Sequence, residues 1–504
     1  MSAADSLALL SPVLAVAGTG LTVLVLDLFL PKGEHRPALA LVSLAGCALA
    51  LFLAGGLWQG QIGPHRDLAG AAEVFSGAAR VDRFGLFLWG LLAGCTAGTV
   101  LVSMGYAARR GFECGEYYAL VLFAAAGGML LVASTHLVTL FVALETLSIA
   151  AYALVGITLS ETRSSEGAMK YFIQGSFAAA FLLYGVALLY GATGSLTLQG
   201  IGAVLASGRG SVGLFVAGLA LTLVGIAFKV GAVPFHWWVG DAYEGAASPV
   251  TAFLASAIKV AGFGFLGRVA LAAFEIPEGR EFGVPVLAAL AVVTMVLGSF
   301  LALVQTNLKR MLAYSSIVHT GYALVGLVAT GAITDPAAAA TAFASVPLYL
   351  AVYAVMTLGA FAAVAALETG GREREGVAEY RGLATRRPGV ALALAICLVS
   401  LAGLPPTAGF FGKFQLFAAA VDARFSWLAL VGVAASVVSL YYYLRVAVAL
   451  YMDEPKDDFA ADFDPWGVRA ALLVTSAAVV VLGILPGGLL EAALASARGL
   501  APAP

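Results

Sequence analysis

Four lysines, one glutamate and two histidines stand in or against stretches of this chain that are otherwise almost wholly apolar: Lys170, Lys229, Lys259, Lys413, Glu145, His236 and His319. An ionisable side chain costs about 3 kcal/mol to place at the centre of a membrane-spanning helix, so each of them needs a partner or a task. All three residue types take up and release protons, and chains of such groups with water between them are how membrane proteins relay protons. Sodium would need clustered carboxylates and carbonyls. The apolar stretches hold one well-buried acid, Glu145, so the chemistry favoured here is proton transfer.

The elements that must position these groups are long apolar helices, two of them broken. The stretch Gly225 to Gly262, GIAFKVGAVPFHWWVGDAYEGAASPVTAFLASAIKVAG, carries Lys229, Pro234, His236 and Lys259. Pro234 removes a backbone donor and clashes with the preceding turn, which predicts a break near Gly231 to Pro234 in a helix over about 212–238. A charge beside a broken helix at membrane depth is how transporters build ion sites, because the freed backbone groups line a wet cavity. The alternative is a lysine that snorkels to the interface. Later in the chain Leu404, Pro405 and Pro406 precede Gly409, Gly412 and Lys413, a second break with its own lysine.

Glu145 lies mid-way along its apolar stretch, at the depth expected for Lys229, and the two are expected to pair, with protonation of one releasing the other. A static buried salt bridge is the plainer alternative. Lys259 has no neighbouring acid in sequence and suits a relay. Ser315, Ser316 and His319, spaced i, i+1 and i+4, bring two hydroxyls and an imidazole near one helix face, where the imidazole passes a proton or simply packs. Lys170, a few residues inside its helix, reads equally as relay or interfacial.

Of 504 residues, 61% are hydrophobic and 11% charged, against about 25% charged in an average soluble domain. The fold class is therefore an all-α polytopic membrane protein. Fourteen candidate spans fall near 7–29, 38–59, 84–105, 117–134, 136–158, 167–191, 211–238, 248–272, 283–304, 308–331, 341–367, 388–420, 425–452 and 467–490. The first run, Leu7 to Leu30, lacks a preceding basic residue and a cleavage site and reads as a retained helix. The breaks in the seventh and twelfth spans are five helices apart, an odd period that inverts topology. Spans four to eight and nine to thirteen are the two expected inverted repeats. The chain divides accordingly into 1–115, 116–275 for the first repeat, 280–453 for the second, and 454–504.

Loops after odd-numbered spans carry 14 Lys and Arg and the opposite side carries 7, which puts the odd loops in the cytoplasm and both termini on the outer side. Cys47, Cys95, Cys114 and Cys397 stand alone, without redox or metal spacing. No GxGxxG turn after a strand and no P-loop is present, and neither the net charge of -2 nor any basic run suggests nucleic acid.

Four stretches, EGAMKYFIQGSFAAAFLLYGVALLYGATGS, FKVGAVPFHWWVGDAYEGAASPVTAFLASAIKVAGF, NLKRMLAYSSIVHTGYALVG and LAGLPPTAGFFGKFQLF, closely resemble the subunit N family of bacterial respiratory complex I, the NADH:quinone oxidoreductase. The resemblance implies an antiporter-like subunit of the membrane arm in the bacterial inner membrane. Such a subunit moves protons beside antiporter-like neighbours and small membrane subunits, in contact with lipid and only indirectly with the peripheral arm. FMN, iron–sulfur clusters and quinone belong to partner subunits, and this chain holds no cofactor. By motif, Glu145 and Lys229 match the family's buried pair, Lys259 its central relay lysine and Lys413 the lysine of the second broken helix. His236 matches the histidine of its PFHxW segment and Lys170 the lysine of its sixth helix, while Asp82 in VDRF looks like a structural family feature. Where relatives read EGAPTP this chain reads EGAASP, so Ala247 relaxes that turn.

Two competing readings remain. A subunit of a multisubunit cation/proton antiporter shares the lysines and would respond to sodium, whereas a passive membrane scaffold leaves the buried lysines unexplained.

Overall fold

In hydrocarbon a peptide group has no partner but another peptide group, so long apolar runs close on themselves as helices. The computed structural model describes residues 2–31, 36–63, 71–368, 372–455, 465–498 and 500, and most of them are helical. In chain order the helices are α1 (Ala3–Leu9), α2 (Ser11–Asp27), α3 (Pro37–Trp58), α4 (Arg83–Ser103), α5 (Tyr106–Arg109), α6 (Gly115–Ala133), α7 (Leu137–Val155) and α8 (Thr162–Thr193). They continue with α9 (Leu198–Ala206), α10 (Val212–Val230), α11 (Trp237–Gly245), α12 (Ser248–Phe253), α13 (Lys259–Phe274), α14 (Pro277–Leu303), α15 (Leu308–Ala332) and α16 (Pro336–Ala365). The last are α17 (Leu383–Arg386), α18 (Pro388–Ala402), α19 (Ala408–Asp422), α20 (Ser426–Tyr451), α21 (Trp466–Ile484) and α22 (Gly487–Arg498).

Among the described residues, 12 helices are long and apolar enough to cross a membrane, taking Ser248–Phe274 as one, and α1 with α2 makes a bent thirteenth. The twelfth expected span, 388–420, is split into α18 and α19 of 15 residues each, neither long enough alone. Proline opens α3, α14, α16 and α18 in the first turn, where its missing donor costs nothing.

Among the described residues the bundle is helical as expected, apart from one short hairpin. β1 (Ala72–Val74) and β2 (Ala79–Val81) pair antiparallel, and their alternate residues are buried. Three residues per strand is too short a period-two signal to stand out beside helices of twenty. The eighth span is also less regular than its sequence suggests. A π-turn, Leu254–Ile258, joins α12 to α13 immediately before Lys259, the kind of local register shift often found at functional positions.

The centre of the bundle is the continuous helix α12–α13 with α15 and α16. Their apolar windows are 100%, 94% and 94% buried, against 33% for α8 and α21, so the latter form the outer wall facing lipid or neighbours. α8 and α10 meet closely because Gly185 and Gly218 face each other. A Cβ on Gly185 would lie 2.6 Å from the Thr222 nitrogen, and one on Gly218 2.9 Å from the Gly185 carbonyl oxygen. Small residues at a crossing let membrane helices touch along their backbones.

Two buried ion pairs tie the bundle together, one at each end. On the hairpin side Asp82 caps α4 through the Gly85 amide at 2.8 Å and takes two bonds from the Arg268 guanidinium of α13, both 2.8 Å. Its assignment as structural fits this position. At the other end Lys309 and Glu373 pair at 2.6 Å. Lys309 donates to the Ala246 carbonyl at the C-terminus of α11 (2.5 Å), while Glu373 accepts from the Ser248 amide at the N-terminus of α12 (2.8 Å) and from the Tyr106 hydroxyl. Each charge thus sits at the helix end whose dipole favours it.

Two predictions follow from these pairs. Asp82→Ala leaves Arg268 without its main buried partner and should cost about 3 kcal/mol or more, read as a lowered melting temperature of the solubilised protein. Burial pushes the Glu373 carboxyl up, but the Lys309 ammonium and the bonds from Lys309, Ser248 and Tyr106 outweigh it, holding Glu373 at about 2, below its ordinary 4.5. Its stabilisation is therefore complete above pH 4.5 and lost as the pH falls towards 2. Glu373→Gln should remove that part of the acid dependence and lower the melting temperature at neutral pH.

Candidate functional site: a buried line of titratable groups

Helix α10 ends at Val230 because Gly231, at φ 70°, takes the left-handed conformation that closes a helix. Pro234 then prevents the helix from resuming until Trp237. The second break repeats this arrangement, with Gly403 at φ 86° ending α18 and Pro405 and Pro406 separating it from α19. Each break leaves helix carbonyls without intrahelical partners.

Those carbonyls receive the lysines. Lys259 Nζ donates to the Val230 carbonyl at 2.8 Å, to the Ser316 carbonyl at 2.9 Å and to Thr320 Oγ1 at 2.5 Å. Lys413 Nζ donates to the carbonyls of Leu401 and Ala402 and to Ser436 Oγ, each at 2.9 Å, and lies 4.9 Å from the centre of the Tyr322 ring. In both cases an ammonium occupies the negative end of a helix half, a favourable site for a cation. Lys229, Lys259, Lys413 and His319 are only 2–4% exposed.

Lys229 sits differently. Its Nζ donates to Ser148 Oγ of α7 at 2.9 Å and to the Tyr171 hydroxyl of α8 at 3.3 Å, with the Tyr171 and Tyr152 rings at 5.6 and 5.9 Å. Tyr171 is held in place by stacking on Trp238, 4.1 Å between ring centres. The direct Glu145–Lys229 ion pair expected from the sequence is absent among the described contacts. Glu145 is half-buried, one helical turn before Ser148, and its charge acts on Lys229 without touching it. Ser148 fills the place the carboxylate was expected to take.

His319 joins the two halves. Its Nδ1 bonds the Tyr349 hydroxyl at 2.5 Å and its Nε2 the Tyr443 hydroxyl at 3.1 Å, and Tyr443 also bonds Ser315. The imidazole lies between Lys259 and Lys413 and feels both charges. Glu145, Lys229, Lys259, His319 and Lys413 thus form one line across both broken helices, with Ser148, Thr320 and tyrosines between them.

Two expected members lie off that line. Lys170 is part-exposed and bonds Asp241 at 2.8 Å and Glu166 at 2.7 Å. Asp241 and Glu244 of α11 in turn bind Arg310 at 2.8 and 2.6 Å, and Arg163 lies 3.7 Å from Glu244 and 2.8 Å from Glu375. This network covers one face of the bundle. His236 caps α11 beside Trp237 and is buried, and its Nδ1 makes no hydrogen bond among the described residues.

The matching of Lys229 with Lys413 across the repeat also needs correction. Lys229 precedes its glycine by two residues, whereas Lys413 follows Gly403 by ten, and ten residues after Gly231 stands Asp241. In its contacts it is Lys259 that corresponds to Lys413, since both cap a broken helix. Sequence reasoning missed Asp241, Glu244 and Arg310, which look like loop charges, and Tyr349 and Tyr443, which look like apolar core. The hydroxyls of the two tyrosines, on helix faces shared with other polar residues, were the available signal. Among the described residues no group of three or more His, Cys, Asp or Glu side chains is placed to hold a metal ion.

Residues 134–439, which contain the whole line, match the family model described as NADH:quinone oxidoreductase/Mrp antiporter, TM. The NADH-quinone oxidoreductase subunit N 2 of Roseiflexus castenholzii is 40% identical over 474 residues, 94% of this chain and 92% of its own length. A chain of respiratory complex I from Thermus thermophilus superposes with a TM-score of 0.77 at 34% identity, covering 95% of this chain and 98% of that one. A chain of the Mrp complex from a Dietzia species shares the fold, with a TM-score of 0.82 at 22% identity over 99% of this chain and 98% of its own. With that identity sustained over nearly the full length of both chains, the protein belongs to the NADH-quinone oxidoreductase subunit N family, in the antiporter-like superfamily that includes Mrp.

Proposed function

We propose that this chain is the proton-translocating, antiporter-like membrane-arm subunit of an NADH:quinone oxidoreductase. The observation that carries the reading is the series Lys229, Lys259, His319 and Lys413, buried in the bundle and spanning both breaks, with half-buried Glu145 beside its first member. In this mechanism the Lys229 ammonium alternates between Ser148 with Tyr171, where it lies now, and the Glu145 carboxylate one turn along α7. Residues three apart on a helix share a face, so a small swing of one flexible side chain makes the exchange. Opening and closing that pair is the two-state element that quinone chemistry in other subunits biases. Lys259 and Lys413 then load and unload protons against helix-end carbonyls, with His319 and its tyrosines carrying the proton between them.

FMN, iron–sulfur clusters and quinone are assigned to partner subunits. Antiporter-like and small membrane subunits are the direct partners, with the peripheral arm reached through them. The Lys170–Asp241–Arg310 face is assigned to the cytoplasm of a bacterial inner membrane and both termini to the outer side. The basic residues Lys32, Arg66 and Lys456, which enter that count, lie outside the described residues. The two inverted repeats remain part of this reading, carried by the paired glycine–proline breaks.

A second reading is a subunit of a cation/proton antiporter complex, favoured by the shared fold. The two separate on what accompanies the chain. Gentle purification of the native assembly should bring flavin and iron–sulfur absorbance with NADH:quinone activity, while a colourless assembly with sodium-dependent proton exchange contradicts the proposal. Within the first reading, Lys229→Ala and Glu145→Gln should each lower proton translocation and NADH:quinone turnover together, by ~100-fold or more for Lys229→Ala, on the scale of losing a proton-transfer group. Unchanged turnover and proton yield in both variants would sink the relay.

A further inference from the structure

The second half of the first broken helix, α11, is anchored to α8. A Cβ on Gly167 of α8 would lie 2.8 Å from the Asp241 carbonyl oxygen, and one on Gly245 of α11 would run into the carbonyl of Arg163, so the two backbones touch. The Lys170–Asp241 ion pair, 2.8 Å, ties the same two elements. From this anchored half Trp238 reaches back across the break. It is buried, and its indole N–H donates at 3.0 Å to the carbonyl of Phe228, the residue before Lys229 at the end of α10. Its ring stacks on Tyr171 of α8, 4.1 Å between centres and 9° from parallel, and Tyr152 of α7 braces Tyr171 edge-on at 4.6 Å.

An indole held by a hydrogen bond at its edge and a stack on its face has little freedom left, because losing either leaves a buried donor unpaired or a ring face uncovered. Trp238 thereby fixes two things around Lys229. One is the main chain immediately before it. The other is the Tyr171 hydroxyl, which receives Lys229 Nζ at 3.3 Å beside Ser148 Oγ at 2.9 Å. The indole N–H is taken by Phe228, so Trp238 acts on the ammonium through Tyr171.

We infer that Trp238 is a positioning residue for Lys229: by holding Tyr171 in place it defines the neutral seat that competes with Glu145 for the ammonium. The inference rests on the proposed alternation of Lys229 and adds what sets its balance. An ammonium has three donors to satisfy. With Tyr171 held, two hydroxyls receive it. With Tyr171 loose, Ser148 alone of the pair stays fixed, itself bonded to the Leu144 carbonyl at 2.6 Å, and the ammonium turns to the carboxylate one helical turn away. A closed ion pair in low dielectric opens reluctantly. Loosening the stack therefore holds the switch closed while every titratable group of the relay is still present.

The test uses the intact respiratory assembly carrying Trp238→Leu. NADH:quinone turnover and proton translocation should fall together severalfold, with the KM for quinone and NADH oxidation by a soluble acceptor unchanged. Trp238→Phe, which keeps a ring to stack on Tyr171, should recover much of the rate. In a Glu145→Gln background the competing seat is gone, so Trp238→Leu should add little to the loss that Glu145→Gln causes by itself. Trp89→Leu is the control for losing a buried indole: Trp89 of α4 is as deeply buried and donates to the Met129 carbonyl of α6 at 2.6 Å, on helices outside the first break. Its turnover per assembled complex should be unchanged. If Trp238→Leu does not assemble, Trp238→Phe decides: its smaller loss should vanish in a Tyr171→Phe background, where the hydroxyl being positioned is absent. Wild-type turnover in Trp238→Leu, an equal loss in Trp89→Leu, or losses that simply add in the double variants would overturn the inference. Lys229→Ala measured beside them separates the two failures: if it is silent the relay itself falls, and if it is impaired while Trp238→Leu is not, only the positioning role does.

Discussion

The structure depends on how an ammonium group is kept among apolar helices without a carboxylate beside it. Lys259 and Lys413 are both held by main-chain carbonyls, and those of Val230, Leu401 and Ala402 are open to them only because a helix has been stopped. The glycine that ends the helix, the proline that delays its return and the lysine that caps it form one device used twice. A helix end carries about half a negative charge, spread over several oxygens. Such a partner stabilises a cation without binding it as tightly as a fixed carboxylate would. A proton carrier needs that compromise, since a closed ion pair in low dielectric resists giving up either charge.

The rest of the bundle keeps that device in register. The Asp82–Arg268 pair ties α4 to α13 at one end, and the Lys309–Glu373 pair clamps the junction of α11 and α12 at the other. Between these clamps lie the π-turn and Lys259. The helix carrying the central lysine is therefore pinned at both ends and locally irregular in the middle. Lys229 differs in having side-chain partners on two other helices, Ser148 and Tyr171, with Glu145 one turn away. It is the lysine with an alternative partner within reach, which is why the account places the switch there and the carriers at the helix ends.

Much of this is legible in one dimension. A proline or a lysine inside an apolar run is a local signal, so the two breaks and the buried lysines can be read directly. So can the helices, whose length and hydropathy carry their own boundaries. What escapes is set by contacts distant in sequence. Lys170 is tied to Asp241, 71 residues on, and no local pattern distinguishes that from a relay. Tyr349 and Tyr443 read as apolar bulk, because their hydroxyls matter only once three helices face one another. The equal depth of Glu145 and Lys229 suggests a closed pair, yet depth says nothing of azimuth, and Ser148 occupies the facing position. The repeat is visible as a pattern of breaks, while the correspondence of lysines within it needs the contacts to show that Lys259 and Lys413 do the same thing.

The central claim is that the carbonyl-held lysines carry protons and are not simply tolerated. The most direct measurement is NADH-driven proton translocation by the purified assembly in sealed vesicles with Lys259→Met, which keeps the length and apolar stem of the side chain and removes its charge. The account predicts that quinone-linked turnover and the proton gradient collapse together while the flavin-linked oxidation of NADH persists. A wild-type gradient at wild-type turnover would contradict it.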